Sequence, residues 1–313
     1  MNLTSSRRGF LKLAGAGAAV ALAGCGSGSV VSAIEPQHFY VVGDGFSDVG
    51  QTGAVATVND GTLIWIQQLA AYYGLTVTPA ASGGTGYAQI YARVDGTDTT
   101  SGTNAPSVKE QIDQLLTDVT AFEDDDLVFI NGGLYDFVDA VTAYGVSDEA
   151  FAAVKAAGAA LGAQTRRLVE AGAKHVVVTG IYNPGITPWG RATGYSTTEG
   201  FDEDALLTQL SNTFNNTGLK VSIADLGENV LYFDAEIFFN FLAGEPDNYG
   251  LDNALEAVCT TETALTCTTS TVKVTDYNTY LFADDLHFTP ENQRKFVYDT
   301  YAENAYTKLK QRW

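Results

Sequence analysis

The 313-residue sequence predicts an α/β fold, a three-layer α/β/α sandwich whose doubly wound parallel sheet carries helices on both faces. Three observations lead to this prediction. Short, continuously apolar runs alternate with longer stretches of helical periodicity. The repeated order of strand and then helix favours parallel strands joined by crossovers. The length suits one large domain better than two separate ones.

Four apolar segments predict strands that are buried on both faces. Each is short and rich in Val, Ile, Phe, Tyr or Leu, and three of them run into a glycine. The predicted strands are HFYVVGD (38–44), DLVFING (126–132), KHVVVTGI (174–181) and VLYFDA (230–235). Because ligands bind beyond the carboxyl ends of such strands, the loops that follow them are the expected site.

Amphipathic stretches between the strands predict the helices. Ser107 precedes Glu110 by three residues, which is the capping-box pattern, and Ser147 is placed to cap a long alanine-rich helix that stops at Gly172. The predicted helices cover 63–74, 107–119, 147–172, 202–219, 236–244 and a closing stretch of 291–309 that follows Pro290.

The amino-terminal segment predicts export. Arg7 and Arg8 form a twin-arginine pair, and the apolar run after them is too short to span a bilayer comfortably. The run ends in LAGC (22–25), which resembles the lipobox of bacterial lipoproteins. We therefore expect a signal peptide over 1–24, a lipidated Cys25, a flexible tether over 25–36 and one domain over 37–313. An ordinary cleavage site near Cys25 is the alternative.

The lipobox resemblance also implies a location and a partner. Gly26 follows the cysteine, and in Gram-negative lipoproteins an aspartate at that position retains the protein in the inner membrane. The absence of that aspartate resembles the pattern of lipoproteins that are sorted to the outer membrane. The predicted partner is thus a membrane, bound through the lipid on Cys25.

Charge and cysteine content exclude some functions. Asp and Glu number 37 against 17 Lys and Arg, and the net charge of −20 repels phosphate backbones, so nucleic-acid binding is disfavoured. With Cys25 lipidated, Cys259 and Cys267 remain, and in an oxidising compartment a disulfide between them is favoured over two free thiols. Three His and no cluster of ligands at metal spacing predict neither metal nor cofactor.

Four blocks resemble a known family. They are GDGFSDVG (43–50), GTGYAQIYAR (84–93), NGGLYD (131–136) and DDLHFT (284–289). In order, they are similar to the G-D-S-x-S-D-x-G, G-x-N-Y-A-x-G-G-A-R, N-G-G-x-N-D and D-x-x-H-P-T blocks of the GDSL or SGNH hydrolases. The resemblance runs from about His38 to the carboxyl terminus. It implies an SGNH-hydrolase, flavodoxin-like fold and the ester cleavage of the secreted esterase and lipase branch.

The resemblance also implies roles for single residues. In the family a serine attacks the ester carbonyl, a histidine removes its proton, and an aspartate three residues upstream orients the imidazole. A backbone N–H near the serine, a glycine N–H and an asparagine amide stabilise the oxyanion. His287 and Asp284 match the histidine and the aspartate, and Asp44 matches a residue that supports the turn after the first strand.

Three blocks depart from the family pattern. Gly45 stands at the position of the nucleophile, Ile90 and Tyr91 replace a glycine pair, and Tyr135 replaces the asparagine. Without the nucleophile, only about 10³- to 10⁴-fold acceleration survives, and each lost oxyanion donor costs about 10²- to 10³-fold more. We therefore expect an envelope protein that has lost ester hydrolysis. It would bind an acyl-ester, lipid or glycan ligand, or act as a scaffold in which side chains fill the former active-site pocket.

An active esterase or lipase is the alternative prediction. It would use His287 and Asp284 with Ser47 or an activated water. Ser47 lies two residues beyond Gly45, and we expect it in the first turn of the following helix, where its hydroxyl would satisfy backbone N–H groups. A shift of two residues exceeds the displacement of about 1 Å that already impairs catalysis. The Asp284–His287 pair also has a structural interpretation, a hydrogen bond that fixes its loop on the sheet.

Overall fold

The computed structural model describes residues 34–98, 101–298 and 304–313. The predicted signal peptide, Cys25 and the tether up to residue 33 lie outside these ranges. Ile34, just ahead of the predicted domain, is only 4% exposed and packs into the core. Within the described ranges, every helix is too short or too polar to cross a bilayer.

Four parallel strands form the central sheet and lie side by side in chain order. They are β1 (His38–Val42), β2 (Asp126–Asn131), β3 (His175–Thr179) and β4 (Val230–Phe233). The four predicted strands are confirmed, and each ends one or two residues earlier than its apolar run.

An irregular segment covers the outer edge of β1. The N–H of Val41 donates to the carbonyl of Thr85 at 3.0 Å, and the N–H of Tyr87 donates to the carbonyl of Val41 at 2.7 Å. The chain thus leaves β1, pairs along one side of it and then crosses to β2 on the other side. This reversal is a topological switch point, where doubly wound sheets bind their ligands.

The helices occupy both faces of the sheet, so the predicted three-layer α/β/α architecture is confirmed. In chain order they are α1 (Trp65–Tyr72), α2 (Val108–Asp118), α3 (Leu134–Tyr144), α4 (Asp148–Glu170), α5 (Pro188–Ala192), α6 (Leu206–Asn212), α7 (Lys220–Ser222), α8 (Ala235–Gly244), α9 (Pro290–Tyr298) and α10 (Ala305–Arg312).

Alternate residues of the strands feed two cores. Phe39 and Phe129 pack with side chains of α1, α8, α9 and α10 on one face. Tyr40 and Val128 pack with α2, α3, α4 and α6 on the other. Successive side chains of a strand point to opposite faces, and both faces are apolar here, which explains the continuous apolar runs in the sequence.

The capping predictions hold. The N–H of Glu110 donates to the hydroxyl of Ser107 at 3.2 Å, while a carboxylate oxygen of Glu110 accepts the N–H of Ser107 at 2.8 Å. The hydroxyl of Ser147 accepts the N–H of Ala150 at 3.4 Å. These bonds satisfy N–H groups that helix starts leave free, and they fix where α2 and α4 begin.

Other elements differ from the predictions. The helix expected over 202–219 begins at Leu206 and continues through a π-helical turn, Thr213–Leu219. The closing stretch contains two helices, α9 and α10. The sequence did not predict α3, α5 or a small parallel sheet of β5 (Asn253–Ala257) with β6 (Tyr280–Phe282). The helical spacing of apolar residues in α3 was present in the sequence, but a left-handed glycine, Gly133, opens the helix in place of a polar cap.

Candidate functional site

The four blocks meet at the carboxyl ends of β1 and β2. Gly45 lies in the turn after β1, and Tyr135 lies in the first turn of α3, directly after β2. Ile90 follows the irregular segment that covers the outer edge of β1, and His287 lies between β6 and α9. The sheet therefore brings together residues that are far apart in the sequence, at the edge where the switch point predicts a site.

Asp284 and His287 form a closely hydrogen-bonded pair. Nδ1 of His287 lies 2.9 Å and 3.0 Å from the two carboxylate oxygens of Asp284. The same carboxylate accepts the backbone N–H groups of Leu286 at 2.9 Å, His287 at 2.7 Å and Ala264 at 2.7 Å. The pair is buried, and Asp284 organises the whole loop around it.

The predicted disulfide is confirmed and belongs to this arrangement. Cys259 and Cys267 are bonded, with Cα atoms 5.8 Å apart, and Ala264 lies inside the loop that they close. The side-chain amide of Asn59 donates to the carbonyl of Ala264 at 2.9 Å. The disulfide loop thus presents the N–H of Ala264 to Asp284 from a fixed position.

Electrostatics favour the charged form of the pair. Burial alone would raise the pKa of Asp284, but the charge and the hydrogen bond of His287, helped by the N–H donors, lower it below its ordinary value. Burial alone would lower the pKa of His287, yet Asp284, Asp44 and Asp48 together raise it. The two shifts thus act in the same sense, each towards the charged form of its group.

The other ring nitrogen of His287 is occupied by Tyr135. The hydroxyl of Tyr135 lies 3.1 Å from Nε2 of His287. Its ring packs on Tyr91 with centroids 5.1 Å apart, and the guanidinium of Arg93 lies 5.5 Å from its centroid. Burial raises the pKa of Tyr135 well above its ordinary value, and nearby tyrosines and carboxylates add to this, so the phenol stays neutral.

Gly45, predicted to stand at the position of the nucleophile, lies close to His287 and Ile90. A Cβ atom built on Gly45 would lie 3.1 Å from Nε2 of His287 and 3.0 Å from Cγ1 of Ile90. The turn therefore still points at the imidazole, while Ile90 fills the space that a side chain at position 45 would need.

In the second block, the backbone N–H of Ile90 already has an acceptor. The N–H of Ile90 donates to a carboxylate oxygen of Asp48 at 2.9 Å, so it is not free for an oxyanion. Tyr91 has φ of 71°, in the left-handed region that favours glycine. Tyr91 thus has a backbone conformation that favours glycine, although its side chain is a large ring that packs beside Tyr135.

Ser47 is not placed as predicted. Its N–H donates to the carbonyl of Asp44 at 3.1 Å in a tight turn, and the next helix, α1, begins only at Trp65. The expectation of a first helical turn is therefore wrong, because Asp48 accepts the N–H groups of Gly50 and Gln51 and folds the chain into a loop. Among the described residues, Ser47 makes no hydrogen bond with His287.

Asp44 joins the turn to its neighbours. One carboxylate oxygen accepts the N–H of Phe46 at 3.1 Å and the side-chain amide of Asn131 at 2.6 Å, and the other accepts the N–H of Leu134 at 3.4 Å. Burial raises the pKa of Asp44, and these donors oppose that rise. The contacts suit a residue that supports the turn.

The side chains that surround Nε2 of His287 are almost fully buried. Tyr135 and His287 are each 5% exposed, and Ile90 is fully buried. A cavity beside Asp44 and Asn131 has a volume of only about 10 Å³, room for at most one water. In the ranges that the structure covers, no three His, Cys, Asp or Glu side chains are grouped to hold a metal ion.

Asp48 and the disulfide loop are the parts of the site that sequence reasoning missed. Asp48 belongs to the first block, so its position was visible, but its capture of the N–H of Ile90 depends on how two distant loops meet. The bond between Ala264 and Asp284 depends on the fold in the same way, because no motif marks Ala264.

Comparisons with known proteins identify a family whose match covers most of the chain. The sequence model of a family described as GDSL-like Lipase/Acylhydrolase matches residues 39–299. No curated protein matches. One solved crystal structure is 14% identical and aligns over 89% of this chain and 94% of its own, with a TM-score of 0.41.

Proposed function

The chain belongs to the GDSL-like lipase/acylhydrolase family, and we propose that it keeps the hydrolase fold of this family but does not hydrolyse esters. Instead, it works as a binding or accessory module. One observation carries the proposal. Nε2 of His287 is hydrogen-bonded to the hydroxyl of Tyr135, beside a glycine at the position of the nucleophile. His287, which matches the base of the family mechanism, is thus already hydrogen-bonded, and its partner Tyr135 is not the nucleophile of the family.

Tyr135 is a poor replacement for the missing serine. Burial raises its pKa well above the ordinary value, so the phenol gives up its proton less readily than a free tyrosine does. Attack on an ester would also require the carbonyl to enter a space in which both side chains are almost fully buried. The arrangement therefore supports a stable hydrogen bond over proton transfer.

The donors for an oxyanion are also compromised. Asp48 holds the N–H of Ile90, and a phenol stands where the family has an amide. Losing one such donor costs about 10²- to 10³-fold in rate. Added to the loss of the nucleophile, this leaves little of the family acceleration.

We further propose that the protein is a lipid-anchored envelope protein exported by the twin-arginine route, with the outer membrane as its location. The twin arginines, the LAGC sequence and Gly26 support this proposal, and a disulfide is typical of an oxidising compartment. Metabolic labelling with a fatty-acid analogue, followed by membrane fractionation, tests it. Label should disappear in Cys25→Ser, whereas label that persists would refute lipidation at that residue.

Esterase assays test the loss of hydrolysis. The full chain carrying Cys25→Ser, which avoids lipidation, is treated with a fluorophosphonate and assayed on short and long acyl esters. We expect no label and no turnover, with or without Ser47→Ala. Turnover that disappears in Ser47→Ala would refute the proposal and establish the active esterase of the alternative prediction.

Reconstruction variants sharpen the same test. Gly45→Ser alone is expected to stay inactive, because its Cβ would lie 3.0 Å from Cγ1 of Ile90 and Tyr135 still holds His287. Gly45→Ser combined with Ile90→Gly and Tyr135→Asn removes both obstacles and is expected to regain fluorophosphonate labelling. If Gly45→Ser alone hydrolysed esters, the filling of the site by Ile90 and Tyr135 would not be what prevents catalysis.

A further inference from the structure

A cleft lies at the opposite end of the sheet from His287. It has a volume of about 450 Å³ and is lined by residues just before β1, by the end of α1 and by α10. We call it the tyrosine cleft, defined by Tyr72, Tyr73, Tyr306, Glu35 and Lys310. A concave site lined by aromatic rings with a few charged groups is the usual form of a small-molecule site.

The three tyrosine rings are inclined to one another. The centroids of Tyr72 and Tyr306 are 4.0 Å apart at 49°, and those of Tyr72 and Tyr73 are 5.4 Å apart at 80°. Tyr72 is 52% exposed. The rings therefore present faces in several directions, and the most exposed of them borders the cleft. Nζ of Lys310 already lies 5.7 Å from the centroid of Tyr306, within the distance at which an ammonium is attracted to a ring.

Two opposite charges of the cleft lack an ion-pair partner among the described residues. Neither the carboxylate of Glu35 nor the ammonium of Lys310 forms an ion pair with any residue that the structure describes. The net charge of −20 favours the approach of cations. A ligand that carries both signs can use both groups.

We propose that the tyrosine cleft binds a zwitterion of the phosphocholine or phosphoethanolamine class. The ammonium lies against the tyrosine faces beside Glu35, and the phosphate contacts Lys310. This binding does not depend on whether the His287 site hydrolyses esters. The chemistry is shared by a free zwitterion and by a phospholipid headgroup.

Titration calorimetry with phosphocholine at millimolar concentrations tests the site, using the full chain with Cys25→Ser. Tyr72→Leu should weaken binding about fivefold or more, because it removes a ring from the cation. The matched control is Tyr144→Leu, which removes a tyrosine of similar exposure, 54%, from the end of α3. Absence of binding, or equal loss in both variants, would overturn the proposal.

Two charge variants test the orientation of the ligand. Glu35→Gln should weaken choline and phosphocholine alike, and Lys310→Met should weaken phosphocholine while sparing choline. If choline binds the unaltered cleft as tightly as phosphocholine, Lys310 does not hold the phosphate and the zwitterion proposal fails. Binding of inorganic phosphate alone that survives Tyr72→Leu would equally contradict it.

Vesicles separate the two sources of the headgroup. Flotation with phosphatidylcholine vesicles is compared between Tyr72→Leu and Tyr144→Leu, so that any contribution of the amino-terminal segment cancels. A difference that free phosphocholine abolishes identifies a lipid headgroup as the ligand. Equal flotation together with calorimetric binding identifies a soluble zwitterion.

Discussion

The two walls of the His287 site differ in how they are held. One wall carries Asp284 and His287, and four donor groups converge on a single carboxylate. The other wall carries Gly45, Ile90 and Tyr135, and it is filled by apolar and aromatic packing. The hydrogen-bonded wall matches the family pattern, and the packed wall departs from it.

This difference shows why a retained Asp/His pair is weak support for catalysis. Asp284 satisfies three buried N–H groups as well as His287, so the fold itself has a use for it. A nucleophile has no comparable structural use, and Gly45 can take its place if the neighbouring side chains fill the gap. The variants below test this contrast.

Asp284→Ala should have the largest effect. It leaves three backbone N–H groups and a buried imidazole without their acceptor, and we expect a loss of about 3–5 kcal/mol in the free energy of unfolding. Urea denaturation measures it. Asp285→Ala, on the exposed neighbour, is the control and should cause little change. A loss below about 1 kcal/mol for Asp284→Ala would contradict the structural role of this wall.

Removing the disulfide should have the next largest effect. Cys259→Ala with Cys267→Ala frees a loop closed over a sequence separation of 8, for which loop-closure entropy gives about 2–3 kcal/mol. Urea denaturation of the double variant, with Cys25→Ser as the cysteine control, measures it. Amide exchange at Ala264 should also accelerate, and unchanged protection there would show that the loop holds Asp284 without the bond.

Tyr135→Phe should cost less, about 1 kcal/mol, because one hydrogen bond to His287 is lost while the ring remains. Tyr182→Phe is the matched control, since its hydroxyl donates to the carbonyl of Leu286 at 2.8 Å in the other wall. Both variants are compared by denaturation and by the NMR titration of His287. Only Tyr135→Phe should shift that titration, and an equal shift in both would remove the distinction between the walls.

The smallest effect concerns pH. The folded pKa of His287 is raised above 6.5, so the stability it contributes is complete below that value and is lost as pH rises through the raised pKa. The folded pKa of Asp284 is lowered below 3.8, so its contribution is lost as pH falls through the lowered value. The pair therefore stabilises most between these limits. The difference in unfolding free energy between wild type and His287→Gln, measured against pH, checks this.

His175 provides an internal comparison for the NMR titration. Burial lowers its pKa, whereas that of His287 is raised, so the two resonances should titrate on opposite sides of the ordinary range. His175→Gln and His287→Gln assign them. A His287 resonance that titrates below that of His175 would mean that burial outweighs Asp284.

Much of the fold could be predicted from sequence because its signals are local. Continuous apolar runs gave the four strands, and Ser107 and Ser147 marked the starts of two helices. The helix α3 was missed, although Leu134, Phe137 and Val141 have helical spacing, because glycine and not a polar cap precedes it. The parallel pairing of β5 with β6 lacks a local signal, since its partners are brought together by the rest of the fold.

For the site, the sequence indicated which residues differ from the family pattern, but not which contacts those residues make. Gly45, Ile90, Tyr91 and Tyr135 were all identified by comparison with the family blocks. That the phenol of Tyr135 reaches Nε2 of His287 depends on a contact across 152 residues of sequence. The position of Ser47 was wrong for a related reason, because the role of Asp48 in bending the chain appears only when its N–H partners are in place.

The distance in sequence between the two walls sets when the site can form. Asp284, His287 and the disulfide loop lie close together near the end of the chain, so that wall can assemble locally. Its closure against Gly45 and Tyr135 must await synthesis beyond residue 287, because chains are made from the amino terminus and long-range contacts form late. Until then, the aromatic side chains of the wall that carries Gly45 and Tyr135, which is synthesised first, stay exposed. A chain truncated before residue 284 would therefore present an unfinished core to proteases and chaperones.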